Sequence, residues 1–321
     1  GPAAAAGLHL IAGLHLIDLD QKLPGQRRFI SCWLKLTPEL TFVVDPGPPN
    51  TGSYLVSELE RRGVDRLDYI LLTHVHLDHG GCTARLLERW PAARVICHER
   101  GRPHLLDPTR LWAGSQKVLG KKAAVYGEPG PVPATSLANF AELKGHGIAV
   151  VDTPGHASHH LAFVTLDGIF LGECAGTFSD LGRGPLDEQY YMRPATPPRF
   201  ILETASDSLT RLLALDPFPR RLFFAHHGKF QGDTRQLIVA ARAQLQLWVS
   251  TVAEVVAGLS GLPHTEQPSG EAGLMADLRT ALVAVDPYYA RGNELPADIQ
   301  EREQDFSRQT LRGILDYLHE S

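Results

Sequence analysis

The sequence predicts an α/β domain to about residue 230, followed by a helical appendage packed against it. Three observations support that class. Short apolar runs alternate with helical periodicities through the first half of the 321 residues, which is how a sheet layered with helices reads. The last ~90 residues carry almost only helical periodicity. Ligand-type side chains repeatedly follow directly on apolar runs, as they do where strand ends meet along one edge of an open sheet.

Residues 13–20 and 29–36 read as strands, joined through the turn Leu23-Pro-Gly-Gln26. Residues 41–44 make a third strand, closed by Asp45-Pro-Gly-Pro-Pro-Asn50. A helix over 53–62 shows an apolar face of Leu55, Val56 and Leu59. Residues 69–72 form a short buried strand, 83–90 a helix, 93–97 a strand, and 103–118 a helical stretch able to wall a cleft. Residues 120–135, rich in Pro and Gly, read as loop. A strand over 148–151 runs into Thr153-Pro-Gly-His156, and strands over 161–166 and 169–171 flank Asp167-Gly168, a strong two-residue hairpin signal. Residues 175–198 are expected to be one long irregular loop, of the length that forms lids in compact domains.

A helix over 200–213 leads to a strand over 221–225 that ends at His226-His227-Gly228. The helix over 234–256 places Leu237, Ala241, Leu245, Trp248, Val252 and Val255 on one side. Helices over 274–285 and 305–318 flank a Pro-containing loop over 286–296. Their apolar stripes suit either capping of the cleft or a homodimer seam. The doublet within residues 7–17 is too short for an architectural repeat.

Composition narrows the function. A net charge of −5 without a Lys/Arg-rich block argues against a nucleic-acid surface. No apolar run approaches the ~20 residues that span a membrane. Cys32, Cys82, Cys97 and Cys174 form no Cys-x-x-Cys pair and fit free thiols in a reducing compartment, so a cytoplasmic location is expected. Residues 1–7 look like an expression scar and lack the basic start of a secretory signal.

The chemistry concentrates in Thr73-His-Val-His-Leu-Asp-His79, directly behind the strand over 69–72. In extended backbone His74 and His76 point the same way, because side-chain direction repeats every two residues. Asp78 and His79 follow once the chain has begun to turn and can face a neighbouring point. That spacing suits two divalent metal ions, zinc first, with iron and manganese also accommodated by imidazole and carboxylate. The plainer reading makes Asp78 a helix N-cap among surface histidines. Three imidazoles and a carboxylate within six residues of a strand end outweigh it.

The same grammar recurs three times: His156 follows one apolar run, Glu173 another, and His226 or His227 a third. Taken singly, His156 would be a turn residue and Glu173 a solvated hairpin end. Taken together they complete a set: His74, His76 and His156 on one ion, Asp78, His79 and His226 or His227 on the other, and Glu173 between them.

These motifs, with the Gly172-Glu173 step and the His226-His227-Gly228 strand end, resemble the metallo-β-lactamase superfamily in order and spacing from about Gly13 to Gly228. The resemblance implies an αβ/βα four-layer sandwich, two mixed β-sheets face to face with helices outside, over residues 8–230, and a helical extension over 231–321. It implies His226 as the last ligand, because similar sequences leave one residue between that ligand and the following glycine. Arg193-Pro-Ala-Thr-Pro-Pro198 and Asp107-Pro-Thr-Arg-Leu111 also resemble a soluble subgroup of that superfamily. One departure stands out: the bridging position is usually Asp, and here it is Glu173.

The expected activity is hydrolysis of an ester-like bond in a small molecule by metal-activated water, with a thioester or lactone favoured, as in glyoxalase II-like relatives. Asp78 is the expected proton carrier, and Tyr190, Tyr191 and Arg193 would line the substrate pocket from the lid. Two alternatives compete. One is a mononuclear iron dioxygenase of the persulfide type, needing His74, His76 or His156 and a carboxylate such as Glu173. The other is a metal-bound sensor with little turnover. His159 and His160 are expected at the surface or at a strand start, and Cys174 as a buried, inert thiol.

Overall fold

Side chains that alternate along each strand build the layers of this protein. The computed structural model describes residues 12–179, 190–261 and 270–320. The first sheet runs β1 (Leu14–Asp18), β2 (Ser31–Leu36), β3 (Thr41–Val44), β4 (Tyr69–Leu71), β5 (Arg94–Ile96) in spatial order. β1, β2 and β3 pair antiparallel, while β3, β4 and β5 are parallel. The second half of the chain adds β6 (Ala149–Asp152), β7 (Leu161–Thr165), β8 (Gly168–Gly172), β9 (Thr177–Ser179), β10 (Tyr191–Arg193), β11 (Leu222–Phe224) and β12 (Lys229–Phe230). Of these, β12-β11-β8-β7-β6 form the second sheet, with β8 and β11 its parallel neighbours; β9 and β10 make a separate two-stranded ribbon.

The period of two explains the four layers. On the first sheet, Trp33, Phe42, Val44 and Leu71 face inward, and Phe163, Phe170 and Phe223 of the second sheet meet them in one cluster. The intervening residues, Cys32, Leu34, Val43 and Ile70, face outward against Leu55 and Leu59 of helix Gly52–Arg61 and Leu86 of helix Thr83–Arg89. On the second sheet Leu171, Leu222 and Phe224 face the other way, into a cluster with Leu209, Leu237, Trp248, Leu278, Leu311 and Ile314 from the later helices. Trp33 Nε1 donates across the sandwich to the Phe224 carbonyl at 2.9 Å. Truncating Phe170, 1% exposed between Trp33, Phe42 and Phe223, would cost about 3–5 kcal/mol.

Several expectations need correction. The helical stretch over 103–118 is two helices, Arg102–Leu106 and Thr109–Leu119. Pro108 lacks the N–H that a continuous helix needs, and Asp107 Oδ1 accepts from the Thr109 N–H instead. The loop over 120–135 contains helix Lys121–Tyr126, which buries Ala123 and Tyr126. The last helix spans Ala297–Glu320, beginning before the predicted start at 305, and the preceding loop holds the short helix Pro287–Ala290, capped by Asp286.

The expected long loop over 175–198 carries the β9–β10 ribbon, and its residues 180–189 lie outside the described residues. The expected scar over residues 1–7 and most of the 7–17 doublet lie outside them too. Among the described residues, no helix is long and apolar enough to cross a membrane.

Candidate metal centre

The ends of β3, β4, β6, β8 and β11 converge on one edge of the sandwich, and backbone bonds tie them there: Leu161 N–H to the Thr73 carbonyl at 2.7 Å, and Ser31 N–H to the Ala225 carbonyl at 2.8 Å. At this edge the ring nitrogens of His74, His76 and His156 lie within 4.8 Å of one another. A second group, Asp78, His79 and His226, meets the same condition, and so does a third, His74, His79 and Glu173. Glu173 reaches both sides. Its Oε2 is 2.9 Å from His156 Nε2, 3.1 Å from His79 Nε2 and 3.5 Å from His74 Nε2, and its Oε1 is 3.4 Å from His226 Nε2.

Each imidazole is aimed by its other nitrogen. His156 Nδ1 donates to the Ala195 carbonyl and His226 Nδ1 to the Phe29 carbonyl, both at 3.0 Å. His74 Nδ1 is 3.0 Å from Thr73 Oγ1, and His79 Nδ1 is 3.4 Å from Asp45 Oδ2. His76 turns the opposite nitrogen inward, with Nδ1 at 3.2 Å from His156 Nε2. Such outer partners fix ring orientation wherever imidazole holds a metal.

The donor set fits a cation. His74 Nε2 and His79 Nε2 are buried and make no hydrogen bond, although carboxylate oxygens lie 3.1–3.5 Å away; buried polar atoms are seldom left so. Burial, then the neighbouring imidazoles, holds His74 well below its ordinary value and His76 at about 3, so both offer lone pairs at neutral pH. Burial would lower His79 too, but Asp78, Asp45 and Glu173 raise it well above its ordinary value. Burial would raise Asp78, and His79 overrides it to hold the carboxyl at about 2. In the metal-free chain, then, the carboxylates around His79 favour its protonated form.

Of the two candidate last histidines, His226 faces the group: its Nε2 is 3.7 Å from Asp78 Oδ2. His227 has φ of 66°, which turns its ring away from the centre onto Arg302. Tyr190, Tyr191 and Arg193, expected to line the substrate pocket, are packed inside the described part of the protein. They are 6%, 1% and 3% exposed, Arg193 pairs with the buried Glu303, and Tyr191 donates to the same carboxylate at 2.9 Å. Beside the centre, His156, Glu173, Phe200, Leu209, Ala241 and Leu245 line a small cavity of about 10 Å³.

His160 stands at the expected strand start, directly before β7, and is buried: its Nε2 accepts the Glu173 N–H at 3.1 Å, and its Nδ1 is 2.9 Å from Thr153 Oγ1. Gly172 makes room for this, since a Cβ there would sit 2.5 Å from His160 Nε2. His159 is half-buried, its ring 5.8 Å from that of His76. Burial pushes the Cys174 thiol up to about 12, so it is no nucleophile at neutral pH.

Asp45 is the residue that the sequence reading left as part of a turn. It is buried, and its two oxygens accept the Thr73 N–H and hydroxyl at 2.8 and 2.7 Å while flanking His79. The signal was Asp before Pro-Gly at a strand end, where a left-handed residue (φ 52°) swings the carboxyl back over the next strand.

Residues 25–226 match the family described as the Metallo-beta-lactamase superfamily. The chain belongs to that superfamily. The metallo-beta-lactamase fold-containing protein ST1585 of Sulfurisphaera tokodaii is 30% identical over 199 residues, covering 59% of this chain and 69% of that protein. A hydroxyacylglutathione hydrolase of Xylella fastidiosa is 30% identical over 195 residues, 60% of this chain and 58% of the relative. One from Dechloromonas aromatica is 28% identical over 233 residues, 72% and 71% of the two chains. Among solved structures, a metallo-beta-lactamase family protein of Thermus thermophilus, TTHA1429, superposes with a TM-score of 0.60 at 20% identity, covering 97% of this chain and 94% of that one. The superfamily fold therefore extends to the two facing mixed sheets, their flanking helices and the helical C-terminal region.

Proposed function

We propose that this superfamily member is a metal-dependent hydrolase of an ester-like bond, with a thioester or lactone as the favoured substrate. The observation that carries the reading is the convergence of five imidazoles and two carboxylates from four separate strand ends, two of the inward nitrogens having no hydrogen bond. His74, His76 and His156 would hold one divalent ion, Asp78, His79 and His226 a second, with Glu173 between. Zinc is the first choice, iron or manganese the others. Bound there, such ions lower the pKa of water toward ~7 and act as Lewis acids on the developing oxyanion.

The chain's own residues supply the rest. Asp78 Oδ2, 3.2 Å from His79 Nε2, is the carboxylate to take the proton of the attacking water and return it to the leaving group. The His160–Glu173 N–H contact and the Asp45–Thr73 contacts hold the donors still, so that little reorganisation accompanies the reaction. The relatives named hydroxyacylglutathione hydrolase, at about 30% identity, support a thioester.

The test is metal content and hydrolysis measured together. Purified protein should carry about two ions per chain and release thiol from an acyl thioester panel, or open lactones. H74A and H226A should each lower metal content and abolish turnover. One iron per chain, oxygen uptake with a persulfide and no hydrolysis would replace this reading with the dioxygenase. Full metal content with no turnover on either panel would favour the sensor.

A further inference from the structure

The last helix, Ala297–Glu320, reaches the centre without touching it. Arg302 is 3% exposed, and its guanidinium makes three contacts: Nη1 donates to the Gly25 carbonyl at 2.7 Å, Nη2 meets His227 Nε2 at 2.6 Å, and Nε donates to Glu303 Oε1 at 3.1 Å. Its carbon Cζ lies over the Phe29 ring, 4.2 Å from the centroid. The opposite neighbour of that ring is the His226 imidazole, stacked with centroids 4.1 Å apart and planes at 12°. The Phe29 carbonyl accepts both His226 Nδ1 at 3.0 Å and the His227 N–H at 3.2 Å. Arg302, Phe29 and His226 thus form one stack, and the hairpin loop that carries Phe29 is fastened at both ends of the stack.

The same helix braces the other side of the centre more loosely. Thr310 Oγ1 donates to the Pro194 carbonyl at 3.2 Å, and Thr196 Oγ1 donates to the Thr310 carbonyl at 2.9 Å. Gly313 permits this approach, since a Cβ there would lie 2.0 Å from the Thr196 carbonyl oxygen. Between those residues is Ala195, whose carbonyl orients His156. The link to His156 is one carbonyl; the link to His226 is a carbonyl and a stacked ring, with the Arg302 cation over that ring.

We propose that Arg302 is a positioning residue for His226, acting through Phe29 and His227 to set the affinity of the Asp78, His79 and His226 group for its ion. This rests on the reading of His226 as a ligand. Planar stacking fixes the imidazole plane, and the cation on the far face of the ring fixes the ring. Without Arg302 the Gly25–Phe29 loop keeps the exposed Arg27–Asp298 pair and the Phe29–Phe306 ring contact to the helix. It loses its buried bond at Gly25 and the cation over Phe29, and His226 gains freedom that ion binding must remove. Outer partners of this kind are typically worth about 10–100-fold in affinity.

The experiment follows stepwise binding of zinc to the metal-free full chain by competition with a chromophoric chelator, and of cobalt by its visible spectrum. H226A defines the step that belongs to His226. R302M should weaken that step by at least about tenfold, leave the other within about twofold, and alter the matching cobalt band. R302K, which keeps the charge over Phe29 but not the fork, should recover part of the loss. Should R302M fail to fold, F29L removes the ring and keeps the carbonyl, and the same selective loss is expected. Both steps unchanged, or both weakened equally, in the folded variant overturns the proposal. If H226A itself binds both ions normally, the reading of His226 as a ligand falls, and this one with it. If H226A loses a step and R302M does not, only this one falls.

Discussion

Asp45→Asn is the most informative single change at the centre, because it alters charge without altering shape. Asp45 gives one oxygen to the Thr73 N–H at 2.8 Å and the other to the Thr73 hydroxyl at 2.7 Å, with His79 Nδ1 3.4 Å from that second oxygen. An amide can keep only one of those oxygens; its NH₂ group must then face a donor. A hydrogen bond to a charged group is worth roughly 1.5–3 kcal/mol, and a buried donor left without an acceptor costs a similar amount. The metal-free variant should therefore lose about 2–3 kcal/mol of stability, read as a lower urea midpoint in the presence of chelator.

The second effect is on binding. His79 would lose the partner that orients its ring, which predicts a fall in zinc affinity of about 10–100-fold, or ~1.4–2.7 kcal/mol, at the step lost in H79A. Competition against a chromophoric chelator measures it. A variant with a urea midpoint unchanged within error and zinc affinity within twofold of the parent would refute the claim that Asp45 holds Thr73 and His79 together.

Glu173→Asp retracts the carboxylate by one methylene from four imidazole nitrogens now 2.9–3.5 Å away; it should lower metal content per chain by elemental analysis, and full content would show that this centre tolerates the shorter arm. Asp78, then Asp45 and Glu173, raise His79 well above its ordinary value, which favours its protonated form. An ion joining Asp78, His79 and His226 must displace that proton, so affinity should rise roughly tenfold per pH unit and calorimetry in two buffers should show proton release. Burial would raise Glu303, but Arg193 and then Arg302 hold it at about 2, below its ordinary 4.5. Its contribution to stability is thus full above about 4.5 and lost as pH falls toward 2. Glu303→Gln should destabilise the protein by about 3–5 kcal/mol at neutral pH, since two buried guanidinium groups lose their counter-charge, and the gap in urea midpoint should close in acid.

How much of this was readable beforehand depended on how far apart in the chain the interacting groups stand. The strands and the layers they build come from a period of two within a few residues, and Thr73-His-Val-His-Leu-Asp-His79 states its chemistry within seven. His156, Glu173 and His226 needed one more inference, that strand ends meet at an edge, and the structure brings their side chains together there. What escaped is carried by backbone carbonyls and by distant partners. The carbonyls of Phe29 and Ala195, which aim His226 and His156, have no signature in residue type.

Arg193 reads as a lid residue because it falls in the stretch over 175–198 that looks like one long loop. Its carboxylate partner, Glu303, lies 110 residues further along and supplies the counter-charge that burial of the guanidinium needs. His226 and His227 differ by nothing local except the left-handed turn at His227, and a residue 75 positions away, Arg302, occupies the second ring. The helix that reads from sequence as an appendage therefore supplies the charges that bury Arg193 and hold His227. An alteration to that helix should be felt at the centre, because its contacts through Arg302 and Thr310 lead to the loops behind the histidines, while its apolar side chains pack on the outer face of the second sheet and, through Phe306, on the cluster of the first.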